Sequence, residues 1–497
     1  MRLTDLTALK TEISNLHSVR SVGRVTAIDG TLVQAQGLSG LASLGDRIII
    51  HRRGTPGLAG EILKISAESV SILTDHEPTG IVLGDRVSLG QPGTVSPCDS
   101  WIGRIVDPFG KPLDGRPLIG GATPRALKSD PPAPARRRML GERLETGMAV
   151  FNTLLPIAKG QRLGLFAGSG VGKSNLLGHL GRNMQADVVV FALIGERGRE
   201  LREFVETVLG PEGMQRAVVV TATSDQSPLV RRRCAWTAMC VAEHFRDQGR
   251  HVLFLADSIT RFAEAHREVA VAGGELPALR GFPASTAHMI MSLCERAGPG
   301  EHGTGDITAV FSVLVAGSDM EEPVADILRG VLDGHVVLDR AIAERGRFPA
   351  IDLLRSVSRS LPRAANEQEN SLIARTRSLL GAYARSEMMV RAGLYAEGSD
   401  PLLDQAVRCW PELDAFLAET ETVSAENSFN RLAVILRRSE KGSPRADHLR
   451  KPGGQGNAVD VNDRPGSATE SKRAAGQLPG PVASRGSSLA LRGLQQG

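Results

Sequence analysis

One stretch limits this chain more than any other: Gly164-Leu165-Phe166-Ala167-Gly168-Ser169-Gly170-Val171-Gly172-Lys173-Ser174. An apolar run, Leu163–Ala167, leads into three spaced glycines, and a helical pattern over Ser174–Gln185 follows. Glycines at that spacing let the backbone curl until successive N–H groups point at one centre. The start of the helix adds partial positive charge at the same place. Strand, glycine turn and helix in this order fit a loop that cradles phosphates, Ala167 to Ser174. Lys173 would then meet the β- and γ-phosphates of a nucleotide, and the Ser174 hydroxyl would ligate Mg²⁺. The strict pattern opens on Gly where Ala167 stands. Such a loop needs a buried strand beneath it, which commits this part of the chain to an α/β sheet.

The surrounding pattern agrees. Continuously apolar runs recur at Leu163–Ala167, Val188–Ile194, Ala217–Val220, Val252–Ala256 and Ala309–Val315, with helical stretches such as Leu229–Arg246 between them. Strands buried on both faces read this way, so a parallel sheet covered by helices is predicted. Ahead of it, residues 22–90 hold short apolar runs broken by glycines. The string Leu-Gly-Asp-Arg occurs there twice, at 44–47 and 83–86, and a small β-barrel is predicted. Residues 366–439 return to helical spacing and read as a small all-helical domain. Gly120–Arg138, with four prolines and then the run Arg136–Arg138, reads as a loop whose arginine run is solvated. The division is therefore 1–20, 21–95, 96–365, 366–439 and 440–497.

Both ends differ from the body. Leu3, Leu6, Leu9, Ile13 and Leu16 lie at helical spacing, an amphipathic helix that would dock on its own body, on a partner or on a membrane surface. The 58 residues from Glu440 hold nine Lys/Arg and five Asp/Glu, leaving 50 of each in 1–439. The basic excess is thus in the tail. The balanced body carries no global field for nucleic acid, and no nucleic-acid partner is expected. The tail has no aromatic residue and is read as disordered. At 497 residues, about three folded domains are expected. No apolar run is long enough to span a bilayer, and no basic-then-apolar leader opens the sequence. Five scattered cysteines without a CxxC argue against disulfides and cysteine zinc sites, and fit a reducing cytoplasm.

Three further patterns carry chemistry. His251-Val-Leu-Phe-Leu-Ala-Asp257 is an apolar strand ending in a carboxylate. That places Asp257 at the sheet edge, where it would hold Mg²⁺ through water. Gly195-Glu196-Arg197-Gly198-Arg199-Glu200 follows the run Val188–Ile194. Glu196 could deprotonate an attacking water, or could be a carboxylate favoured at a helix start; spacing alone leaves these even. Arg355-Ser-Val-Ser-Arg359-Ser360 reads as a Ser-rich turn, and physics alone gives Arg359 no role.

Taken in order, these segments resemble the flagellar export ATPases, relatives of the catalytic subunits of rotary ATP synthases. The resemblance runs from about Val22 to Leu436. It rests on 164–174, Ile194–Glu200, Ala256–Ala263, Arg280-Gly-Phe-Pro283, Arg329–Leu338, Phe348–Asp352 and Ser356-Val-Ser-Arg359. It implies ATP hydrolysis with Mg²⁺. Glu196 would activate water, Lys173, Arg197 and Arg261 would line the phosphates, and Phe348 would stack on adenine. Gly168, Ser169, Gly170, Val171, Gly172, Lys173 and Ser174 would hold the triphosphate, with Ser174 and Asp257 on the metal. Arg359 would be the arginine finger inserted from a neighbouring subunit. Asn175 stands where the family usually has Thr, and Leu276-Pro277 where Pro-Pro is common; neither is expected to touch the chemistry.

Because one chain carries both the hydrolytic residues and the finger, a ring of identical copies would complete a site at each interface, and a homohexamer is expected. Expected partners are regulatory and stalk proteins, the export gate and chaperone–substrate complexes, at the cytoplasmic face of the inner membrane. The alternatives are the virulence-secretion ATPase, the catalytic subunit of a rotary proton-transporting synthase, and a hexameric RNA helicase.

Overall fold

The computed structural model describes residues 20–90, 93–315 and 320–440. The amphipathic helix read over 3–16 and the tail beyond Glu440 lie outside the described residues.

The predicted barrel is present. Its strands are β1 (Val22–Asp29), β2 (Leu32–Gln36), β3 (Arg47–His51), β4 (Leu58–Ile65), β5 (Ser69–Thr74) and β6 (Arg86–Leu89). They close in the order β1-β2-β5-β4-β3-β6. Alternate residues point inward, so Val25, Val33, Ile48, Ile50, Ile62, Ile72 and Val87 form the barrel's core. The repeated Leu-Gly-Asp-Arg strings build matching turns. Gly45 and Gly84 both take positive φ, 87° and 86°. Asp46 accepts a hydrogen bond from the Ser43 N–H at 2.8 Å, and Asp85 accepts one from the Val82 N–H at 2.9 Å. Each turn launches one strand, β3 or β6.

A two-stranded ribbon, β7 (Thr94–Val95) with β9 (Arg125–Ala126), follows the barrel. The main sheet has eight strands. They are β8 (Arg104–Val106), β10 (Arg162–Ala167), β11 (Val188–Glu196), β12 (Ala217–Thr223), β13 (Val252–Asp257), β14 (Ile307–Leu314), β15 (Gly334–Leu338) and β16 (Ile351–Ser358). Their order is β16-β15-β10-β14-β13-β11-β12-β8. All neighbours are parallel except β15 and β16, so the wholly parallel reading needs correction at one edge. Four of the five apolar runs lie wholly in strands, and the fifth, Ala309–Val315, overruns β14 by one residue. Helices α1 (Lys173–Asn183), α2 (Pro228–Asp247), α3 (Ile259–Ala272) and α4 (Ser285–Glu295) cover the sheet. Three helices, α5 (Glu367–Arg391), α6 (Pro401–Leu417) and α7 (Ala425–Glu440), form the predicted helical end.

Two local readings change. The segment read as a Ser-rich turn is mostly β16, and Arg359 is the first residue beyond it. Its serines hide the strand pattern because they are buried and hydrogen-bonded. Ser356 Oγ accepts from the Val337 N–H at 3.0 Å, and Ser358 Oγ donates to the Pro156 carbonyl at 2.6 Å. The second change concerns Arg136–Arg138. Arg136 is exposed, but Arg138 meets Asp306 at 2.6 Å and Arg137 meets Glu295 at 3.4 Å, pinning the crossover to the body.

The barrel joins the body through the first turns of α2. Arg232, 7% exposed, donates to Glu61 of β4 at 2.7 Å. Leu229 and Val269 pack beside it against Leu73.

Candidate nucleotide site

The loop between β10 and α1 lies over one open cleft of about 830 Å³. Gly170 and Gly172 take φ of 77° and 84°, a region that glycine enters freely. A Cβ on Gly170 would find nothing within 4 Å, so the loop leaves room for a phosphate chain. Gly168, Ser169, Gly170, Gly172, Lys173 and Ser174 line this cleft. Val171 turns its side chain into the core, 2% exposed, so it can offer only its backbone.

The carboxylates meet at the strand ends. Asp257 closes β13 and is 4% exposed. It pairs with the Lys173 ammonium and accepts a hydrogen bond from Ser312 Oγ at 2.6 Å. Glu196 closes β11 in the same cleft. Burial, the nearby Asp257 charge and Glu200 push its carboxyl up to about 7, while Lys173 pulls the other way. A carboxyl poised near neutrality suits a general base.

Arg197 and Arg261 both line the cleft. Arg197 pairs with Glu200 at 3.1 Å and Arg261 with Glu264 at 2.8 Å. Phe348, 52% exposed, stands over the loop, and a Cβ on Gly172 would come within 3.1 Å of its ring. Arg359 is not among these residues. It lines a separate cleft of about 430 Å³, with Arg137, Arg162 and Asp333.

Several cleft residues escaped the sequence reading. Arg231 lines the cleft, held by Glu268 at 3.0 Å and by the Gln226 carbonyl. Its signal was the run Arg231-Arg232-Arg233 at a helix start. Ser312, which with Thr308 is one of two hydroxyls in the otherwise apolar strand Ile307–Leu314, supports the site from behind by holding Asp257. Asn175, set aside as remote from the chemistry, lines the cleft beside Ser174.

The donor set suits a hard cation. The Ser174 hydroxyl and the Asp257 carboxylate border one cavity, and few protein oxygens with several waters is what Mg²⁺ takes. Among the described residues no cluster of three or more His, Cys, Asp or Glu marks a dedicated metal cage. All five cysteines are free thiols. No described helix is long and apolar enough to cross a membrane.

A largely parallel sheet with a phosphate loop after β10, a carboxylate at the end of β13 two strands away and a poised Glu at the end of the adjacent β11 defines a P-loop ATPase. The chain belongs to the ATP synthase α/β family: that family's nucleotide-binding domain matches residues 147–358, and the C-terminal domain of type III secretion ATPases matches 365–434. It is 44% identical to the flagellum-specific ATP synthase of Caulobacter vibrioides over 423 residues, 83% of this chain and 95% of that one. It is 42% identical to the Salmonella typhimurium protein of the same name, over 87% and 98% of the two chains. Its fold is similar to that of the assembled ATPase EscN in complex with its central stalk EscO, from the type III secretion system of enteropathogenic E. coli. The TM-score there is 0.76 at 34% identity, covering 83% of this chain and 100% of that one.

Proposed function

We propose that this chain is a Mg²⁺-dependent ATPase that works as a homohexamer and powers type III export of flagellar proteins. The observation that carries the reading is a division of labour. Lys173, Ser174 and Glu196 border the nucleotide cleft and Asp257 pairs with Lys173 beside it, while Arg359 of the same chain lines another cleft. A second copy must then supply the arginine, and a closed ring of identical copies does so at each interface.

In this reading Lys173 and the loop amides hold the triphosphate, and Phe348 stacks on adenine. Ser174 and Asp257 hold Mg²⁺, which when bound neutralises phosphate charge. Glu196 takes the proton of the water that attacks the γ-phosphorus, and the bond to ADP breaks on the opposite side. Arg197, Arg261 and the neighbour's Arg359 offset the charge that develops. The barrel (21–95) would hold the ring and meet regulatory and stalk proteins, and the sheet domain (96–365) would hydrolyse. The names of the two flagellar relatives favour the flagellar system over a virulence one. Regulatory proteins, the export gate and chaperone–substrate complexes are the partners this role requires, at the cytoplasmic face of the inner membrane.

The test mixes two inactive full-length variants. Glu196→Ala lacks the base, and Arg359→Ala lacks the finger, whose loss elsewhere costs about 10³–10⁵ in rate. Mixed, they should regain activity at interfaces pairing an intact Glu196 with an intact Arg359. The wild-type specific rate should also climb with protein concentration as rings form. A constant specific rate from a proven monomer, with no recovery on mixing, would overturn the proposal.

A further inference from the structure

Five arginines line the cleft that holds Arg359, and they fall into two groups. Three are committed within the chain. Arg162 bonds Glu295 at 2.6 Å and Asp333 at 3.1 Å, Arg138 bonds Asp306 at 2.6 Å, and Arg137 faces Glu295 at 3.4 Å. Arg359 and Arg363 are both exposed. The Arg359 guanidinium makes one hydrogen bond among the described residues, to the Arg329 carbonyl at 3.3 Å. Arg363 has no hydrogen-bond or ion-pair partner among the described residues.

The backbone that carries these two side chains is nonetheless held tightly. The Arg359 N–H donates to the Asp333 carbonyl at 3.0 Å. Ser360 Oγ donates to the Pro156 carbonyl at 3.0 Å. On either side of Arg363, Asn370 Nδ2 donates to the Pro362 carbonyl at 2.9 Å and Arg143 donates to the Ala364 carbonyl at 3.4 Å. Arg143 is itself anchored on both oxygens of Glu369 at 3.0 Å. A fixed backbone with an uncommitted guanidinium is preorganised for an anion from outside the chain. A planar fork of donors matches phosphate oxygens.

We propose that Arg363 is a second interface arginine, which binds the phosphates of the ATP held by the next copy's Gly168–Ser174 loop. This rests on the reading of Arg359 as a residue offered across that same interface. Arg359 acts on the charge that develops during hydrolysis. Arg363 acts on the bound nucleotide and sets its affinity.

The test is a substrate curve for full-length variants. Arg363→Ala should raise KM for ATP about tenfold, the worth of one charge-assisted contact. Arg363→Lys, which keeps the charge but not the fork, should fall between. In a mixture of Arg363→Ala with Glu196→Ala, every working site belongs to an Arg363→Ala copy. Sites facing a Glu196→Ala neighbour receive an intact Arg363 across the interface. The mixture should therefore gain a component with the wild-type KM. A wild-type KM in pure Arg363→Ala overturns the proposal. A raised KM with no wild-type component in the mixture also overturns it, because the effect would then lie within one chain. Recovery of rate by Arg359→Ala with Glu196→Ala is scored separately. If that occurs and the Arg363 mixture stays uniform, Arg363 alone is wrong. If neither mixture recovers, the shared-site reading falls with it.

Discussion

At the scale of single residues, Glu196 has the most to say about conditions. A carboxyl that titrates at about 7 is partly protonated at neutral pH, and only its ionised form accepts a proton from water. The free enzyme's competence should therefore rise with pH through about 7 and level off above it. Measured as kcat/KM, which reports the free enzyme, the profile should show that single rise. A profile flat from about pH 5 to about pH 9 would remove Glu196 as the base. The same shift affects stability. The folded value lies above the ordinary carboxyl value of 4.5, so the folded state binds this proton more tightly. Its contribution to stability is full below the ordinary value and is lost as pH rises through about 7. Glu196→Gln should flatten that part of the pH–stability curve.

At the scale of elements, the helix that presents Lys173 depends on one distant side chain. Arg216, just before β12, donates from Nη1 to the Ala186 carbonyl and from Nη2 to the carbonyls of Gly181, Arg182 and Met184, all at 2.8–2.9 Å. Gly181 and Arg182 offer orphan carbonyls in the last turn of α1, Met184 caps it and Ala186 lies in the loop that leaves it, and a cation there also suits the helix dipole. Arg216→Ala should cost about 2 kcal/mol locally. Hydrogen exchange of the α1 amides should then speed roughly thirtyfold while the barrel amides hold their rates. Equal acceleration everywhere would show that the loss is global instead.

Nothing in the sequence around Arg216 announces this cap, and the contrast shows what a sequence reveals. The phosphate loop was legible because glycine spacing and strand-then-helix order are local demands. The five buried strands were legible because both faces are apolar, and the barrel because its short apolar runs, their glycine breaks and the two Leu-Gly-Asp-Arg strings are local too. β16 was not, because its inward residues include serines paired with Val337 and Pro156. Ser312 was hidden likewise, since its partner Asp257 lies 55 residues away. Arg359 had no role from physics alone; the resemblance proposed one, and its place outside the nucleotide cleft is compatible with action in trans.

At the scale of the whole molecule, the barrel must move with the ATPase body if one is to report to the other. Three consecutive arginines at the start of α2 sit at that junction. Arg231 faces the nucleotide cleft, Arg232 holds Glu61 of the barrel, and Arg233 lies over the Phe109 ring at 4.7 Å. The Arg232–Glu61 pair is nearly water-free, with side chains 8% and 15% exposed. Burying two charges costs much of what their attraction returns, so the intact pair adds little net stability. Removing one partner is different, because it leaves a charge stranded in a dry site. Glu61→Ala should cost about 3–5 kcal/mol, since Arg232 keeps its charge with no carboxylate to meet. Glu61→Leu with Arg232→Met, which removes both charges and keeps the volume, should restore most of that loss. Thermal unfolding of Glu61→Leu, of Arg232→Met and of the double variant that combines them measures the coupling directly. Additive losses would mean that the pair is not the joint. Strong coupling would assign the junction to Arg232. In that case the double variant should keep its fold, and ATPase measurements on it would then report what the charged pair contributes to communication between barrel and cleft, apart from what it contributes to holding them together.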